Sequence, residues 1–166
     1  VSPSAVQTRR FDNSGTAVGA VVRADTATNW TYEPVVAALN DGGFVAAWTT
    51  WDQDSDGVFF QRFDASGSAV GDETRANTNI AGLQGSPALA GLANGGFVVA
   101  WESDGQDGSG YGIYAQIFGA DGAAIGDEFK VNSLTAFSQS QPDVVADVDG
   151  GFAITWASED PAASGI

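Results

Sequence analysis

The sequence contains no cysteine, no histidine and no methionine. Without cysteine no disulfide can form, and a zinc site built from cysteine and histidine is excluded. Ser–His–Asp and Cys–His catalysis are excluded within the chain for the same reason. Positive charge is scarce as well: Lys130 is the only lysine, and the arginines are Arg9, Arg10, Arg23, Arg62 and Arg75. Against 21 acidic residues this leaves a net charge of −15. Such a surface has no basic patch to offer, so neither nucleic acid nor an anionic membrane is expected as a partner. It suits cations, or a saline exterior where negative charge keeps a protein soluble. No apolar run reaches the ~18 residues of a membrane-spanning helix, so no membrane insertion is expected. The chain opens on Val1 with no signal peptide, which suggests a segment processed or excised from something larger.

What is present points to a packed β fold. Hydrophobic residues make up 43% of the 166 positions, too many for a disordered acidic tail. The 22 glycines fall mostly at recurring turn positions. Three phrases carry the organisation: Gly42-Gly43-Phe44-Val45-Ala46-Ala47-Trp48, Gly95-Gly96-Phe97-Val98-Val99-Ala100-Trp101 and Gly150-Gly151-Phe152-Ala153-Ile154-Thr155-Trp156. They recur at a period of about 54 residues, the mark of one supersecondary unit copied in tandem. A proline opens the preceding segment in each copy (Pro34, Pro87, Pro142), where a strand start costs no ladder hydrogen bond. Asn-Asp-Gly, Asn-Gly and Asp-Gly then mark a hairpin turn. The Gly-Phe…Trp strand is apolar at nearly every position, which predicts burial on both faces.

Four antiparallel strands per copy predict an all-β fold of tandem four-stranded blades, β-propeller-like, with three repeats in the chain. The expected divisions of this single repeat domain are a half-blade over 1–33, repeats over 34–86 and 87–141, and a half-blade over 142–166. The recurring aromatics Phe44, Trp48, Phe97, Trp101, Phe152 and Trp156 are expected in the core. Three blades are too few for an ordinary closed ring. Self-association into a head-to-tail dimer or a longer array is therefore expected.

The stretch from Gly96-Phe97-Val98-Val99-Ala100-Trp101 through Tyr114-Ala115-Gln116, continued by Gly126-Asp127-Glu128-Phe129-Lys130-Val131-Asn132, resembles repeats of large secreted bacterial proteins of the RTX, hemolysin and adhesin type. The resemblance spans nearly the whole chain. It implies secretion to the exterior, repeat architecture and calcium, and no known activity. The Gly-Gly-x-Gly-x-Asp nonapeptide of RTX β-rolls is absent, so those binding residues do not carry over.

Acidic residues concentrate in the loops after the recurring tryptophans. Asp52, Asp54 and Asp56 alternate and are followed by Gly57, a rhythm that can wrap oxygens around one calcium ion. The match to a helix-flanked calcium loop stops there, since Phe63 stands where a bidentate glutamate is required. Asp104 and Asp107 occupy the equivalent loop of the next copy. Asp72-Glu73 and Asp127-Glu128 read as turn and edge residues. Trp30, Tyr32, Trp51 and Tyr111 break the repeat and lie near the acidic loops, a pairing that suits a glycan. The leading reading is a non-catalytic, extracellular, calcium-binding repeat module serving as an adhesive or structural scaffold. A lectin-like carbohydrate-binding module is the alternative. A carbohydrate-active enzyme using paired carboxylates is a third reading.

Overall fold

The computed structural model describes residues 4–51 and 55–159. Among them are twelve strands: β1 (Gln7–Phe11), β2 (Ala17–Arg23), β3 (Thr31–Ala38), β4 (Phe44–Trp51), β5 (Asp56–Phe63), β6 (Ala69–Arg75), β7 (Gln84–Gly91), β8 (Phe97–Asp104), β9 (Tyr111–Phe118), β10 (Ala124–Lys130), β11 (Gln139–Ala146) and β12 (Phe152–Ser158). All pairings are antiparallel between chain neighbours. They form two four-stranded sheets, β3-β4-β5-β6 and β7-β8-β9-β10, and two two-stranded sheets, β1-β2 and β11-β12. The architecture is all-β and propeller-like. It departs from three repeats folded as three blades: two blades are complete, and the remaining strands stay in two separate half-sheets.

The sheets stack face to face through three clusters. Val6 and Ala24 of the first half-sheet meet Ala46, Trp48 and Phe63. Leu39, Val45, Ala47 and Phe60 meet Phe97, Val99, Trp101 and Phe118 of the second blade. Val98, Ala100 and Ala115 meet Val144, with Phe152 and Ile154 packed alongside. Strands β4 and β8 are thus covered on both faces, as their unbroken apolar runs predict. At the centre Phe60 lies edge-on to Phe97 at 5.0 Å, and Phe97 stacks on Phe118 at 5.1 Å.

Burial follows position in the stack. Trp48 and Trp101 are 0% exposed, whereas Trp156 is 37% exposed. Phe63 and Phe118 are buried, whereas Phe11, at the same repeat position, is 59% exposed. The expectation of a buried Trp156 is corrected: among the described residues no strand pairs the free edge of β12 and no sheet covers its outer face.

A buried polar latch repeats with the sheets. The side chains of Asp25, Asn77 and Asn132 accept the backbone N–H of Val6, Val58 and Ile113 at 2.9, 2.9 and 2.8 Å. Each latch satisfies a donor that burial removes from water. A second device joins successive sheets. Glu73 Oε2 accepts Thr26 N and Oγ1, both at 2.6 Å, and Glu128 Oε2 accepts Thr78 N and Oγ1 at 2.7 and 2.9 Å. Glu73 and Glu128 are therefore staples between sheets, not merely turn and edge residues.

The prolines do not open their strands. Each sits inside one, at a bulge: the ladders shift register between Tyr32 and Val35, Gly85 and Ala88, and Ser140 and Asp143. The residue before each proline has positive φ: Glu33 at 54°, Ser86 at 51° and Gln141 at 56°. A non-glycine residue in this region is uncommon. Three in register make the bulge a feature of the repeat.

Trp101→Ala is expected to lower the unfolding free energy by roughly 3–5 kcal/mol, the cost of emptying a core aromatic site. Trp156→Ala should cost clearly less. Equal losses in denaturant titrations of the two variants would contradict the stacked arrangement.

Candidate functional site

One rim of the stack gathers the starts of β3, β5, β7, β9 and β11 and the ends of β4, β8 and β12. The three innermost strands converge there, and their bulges enclose an open depression of ≈ 250 Å³ lined by Glu33, Pro34, Val35, Ser86, Pro87, Gln141 and Pro142. The positive φ at Ser86 and Gln141 turns a backbone N–H out of the ladder. A carboxylate of the preceding blade accepts each one. Glu33 Oε2 takes the N–H of Ser86 at 2.9 Å and the hydroxyl of Thr49 at 2.9 Å. Glu102 Oε1 takes the N–H of Gln141 at 2.7 Å. Gly85 stands between these groups. It pairs with Glu102 in the β7–β8 ladder, and a Cβ there would lie 3.5 Å from Glu33 Oε2. Glu33 is exposed and Glu102 half-buried.

Further carboxylates and two phenols extend the rim. The Tyr32 hydroxyl donates to Asp56 Oδ2. Asp104 pairs with Tyr111 at the end of the β8–β9 ladder. Burial, first, and then the hydrogen bond to Asp56 hold the Tyr32 phenol well above its usual range, with the charges of Asp56 and Glu33 adding to this. Burial and the charges of Asp104, Glu102 and Asp56 push Tyr111 up in the same way. The field of Asp56 acts on both rings, so Tyr32, Tyr111, Glu33, Glu102, Asp56 and Asp104 form one anionic patch.

The predicted site residues are only partly brought together. Asp52 and Asp54 lie outside the described residues. Asp56 is engaged by Tyr32. Asp107 is engaged by the Asn132 latch, its Oδ2 accepting at 3.2 Å. Among the described residues no group of three or more Asp or Glu side chains is arranged to hold a metal ion. Trp30 and Trp51 are half exposed and joined through Trp51 N–H to Trp30 O at 3.1 Å. Glu33 and Glu102 were not among the expected site residues. Their signal lies in the repeat itself: Glu33 fills the position of Ser86 and Gln141, and Glu102 that of Thr49 and Ala157. A carboxylate at only one copy of a repeated position is a departure that packing does not require.

Neither a protein-family model nor a curated protein matches the chain. Two solved structures share its fold. An endo-arabinase from Bacteroides thetaiotaomicron aligns with a TM-score of 0.54 at 16% identity, over 87% of this chain and 57% of its own. A thermostable family-43 glycoside hydrolase aligns with a TM-score of 0.51 at 10% identity, over 90% of this chain and 60% of its own. At these identities the likeness establishes a shared fold. The chain spans about three-fifths of the length of these enzymes. The expectation of a non-catalytic adhesive scaffold, and with it the expectation that the chain is not an enzyme, is corrected by this finding. Both of these structures are named as carbohydrate-cleaving enzymes, and neither is named as a scaffold or a lectin.

The chain's three tyrosines, Tyr32, Tyr111 and Tyr114, all have phenols held above the ordinary value of about 10. The folded state favours the neutral phenol. The stability this contributes is complete below the unfolded value and is lost as pH rises through the higher folded values. Ultraviolet titration of the native protein should show no ordinary tyrosine. Asp56→Asn should move the Tyr32 midpoint down, as read from the difference with Tyr32→Phe. An unperturbed Tyr32 would contradict the rim geometry.

Proposed function

We propose that this chain forms the axial part of a carbohydrate-active enzyme that hydrolyses glycosidic bonds. The observation that carries the reading is the pair Glu33 and Glu102. They come from adjacent blades, Glu33 lining the depression and Glu102 bound to Gln141 of its lining, in a fold shared with two glycoside hydrolases. Hydrolysis of a glycoside needs two carboxyl groups, one to protonate the leaving oxygen and one to activate water or attack the sugar. Each of these two has one oxygen held by a backbone N–H, which fixes its direction. The second oxygen of each has no protein partner among the described residues and is available to substrate or water. The open depression admits a sugar ring, with Ser86 and Gln141 as polar lining. Tyr32 and Tyr111, kept neutral, offer hydroxyls and apolar ring faces at its edge.

The full chain should release reducing ends from a polysaccharide, with arabinan the first substrate to test and neutral and uronate polymers beside it. Glu33→Gln and Glu102→Gln should each lower the rate by about 10²–10⁴-fold, the range of general acid–base catalysis, with melting temperature close to that of the parent. No release from any polymer, or full activity in both variants, would overturn the proposal.

A further inference from the structure

The two half-sheets are complementary halves of one blade. Strand β12 is the copy of β4 and β8, and β1 is the copy of β5 and β9. In both complete blades these two strands pair along their whole length. In the half-sheets β12 pairs only with β11, and β1 only with β2, among the described residues. Such edges carry unpaired N–H and C=O groups and invite strand addition.

We propose that two copies of this 166-residue chain associate through these edges, β12 of each copy pairing with β1 of the other, so that the pair forms one head-to-tail ring. The interaction is independent of the catalytic reading above.

The register can be transferred from the complete blades. Phe44 faces Phe63 and Phe97 faces Phe118, so Phe152 of one copy faces Phe11 of the other. It follows that Thr155 faces Thr8 and Trp156 faces Gln7. This pairing covers the side chains whose exposure is out of keeping with their repeat position, Phe11 at 59% and Trp156 at 37%. It also occupies the groove of ≈ 390 Å³ between β1 and the first blade, whose blade wall is made by Pro34, Val35, Val36, Phe44 and Ala46. In the second blade the equivalents of these residues are covered by the first. Charge agrees as well. Within the first blade Arg62 reaches Asp41 at 3.7 Å. The composite blade places Arg10, the copy of Arg62, beside Asp149, the copy of Asp41 and a residue of the other chain.

Light scattering of the full chain at low micromolar concentration should give twice the 17.0 kDa chain mass. Because the chain has no cysteine, an introduced pair reports the register directly. Thr8→Cys combined with Thr155→Cys should oxidise to a crosslinked dimer. Thr8→Cys combined with Ala153→Cys, two residues out of register, should crosslink at least 10-fold less. The charge-reversed double variant Arg10→Asp, Asp149→Arg should keep the dimer that either single reversal weakens. A folded monomer, a crosslink within one chain, or an open ladder of larger products would overturn the proposal.

Discussion

The constraint on which this fold depends is that its second strands need a sheet on each side. Strands β4 and β8 present apolar side chains to both faces, and no single sheet can shelter them. Burial of a large apolar side chain contributes about 1.5–3 kcal/mol, but only if the neighbour is present. Trp48 and Trp101 are the measure of this: each is fully buried because a sheet stands on either side. Stability in such a stack is a property of interfaces between copies more than of the copies themselves. The polar latches fit the same scheme. Asp25, Asn77 and Asn132 each close the start of a third strand, so that one buried N–H per copy is satisfied without water.

The site grows out of the same repetition. The bulges before Pro87 and Pro142 turn an N–H out of the ladder, and such a group then needs an acceptor. The acceptor comes from the preceding blade, Glu33 for Ser86 and Glu102 for Gln141. A contact that joins sheets therefore also carries carboxylates to the place where the inner strands meet. The two glutamates are not equivalent. Glu33 lies on an innermost strand and lines the depression, whereas Glu102 lies on the strand beside it and reaches the lining through Gln141.

Much of this was legible in the sequence, for reasons that mark the limit of such reading. The Gly-Gly-Phe…Trp phrases recur because both-face burial fixes residue type at every position, so strand order and the split of the first and last copies follow from alignment of the chain with itself. Trp156 shows where this stops. Its identity is that of Trp48 and Trp101, but its burial depends on a neighbour that identity does not encode. The prolines misled for a related reason: a strand start and a bulge both tolerate a missing N–H, and only the register of the partner strand separates them. Glu33 and Glu102 were hidden because attention to acidic runs favours loops. Single carboxylates inside strands become visible only once the copies are compared position by position.

The scarcity of cations shapes how the carboxylates are held. With six Lys and Arg against 21 Asp and Glu, ion pairs cannot satisfy the acidic excess. Backbone N–H groups and hydroxyls do so instead. Asp12 and Asp64 are held below the usual carboxylate range, first by the hydroxyls of Ser14 and Ser66 and then by turn N–H groups. Asp147 closes its own turn through the N–H groups of Asp149 and Gly151, each at 2.9 Å. Glu33, Glu73, Glu102 and Glu128 use neutral donors in the same way across sheets. Neutral donors fix direction without cancelling charge. An arginine beside Glu33 or Glu102 would have oriented the group and compensated it at once. Here the orientation comes from peptide N–H, which leaves the charge of each carboxylate in place. In the proposed reaction that negative charge faces a sugar ring that gains positive charge as the glycosidic bond breaks. A fixed negative potential facing that positive charge would stabilise the transition state more than the neutral ground state.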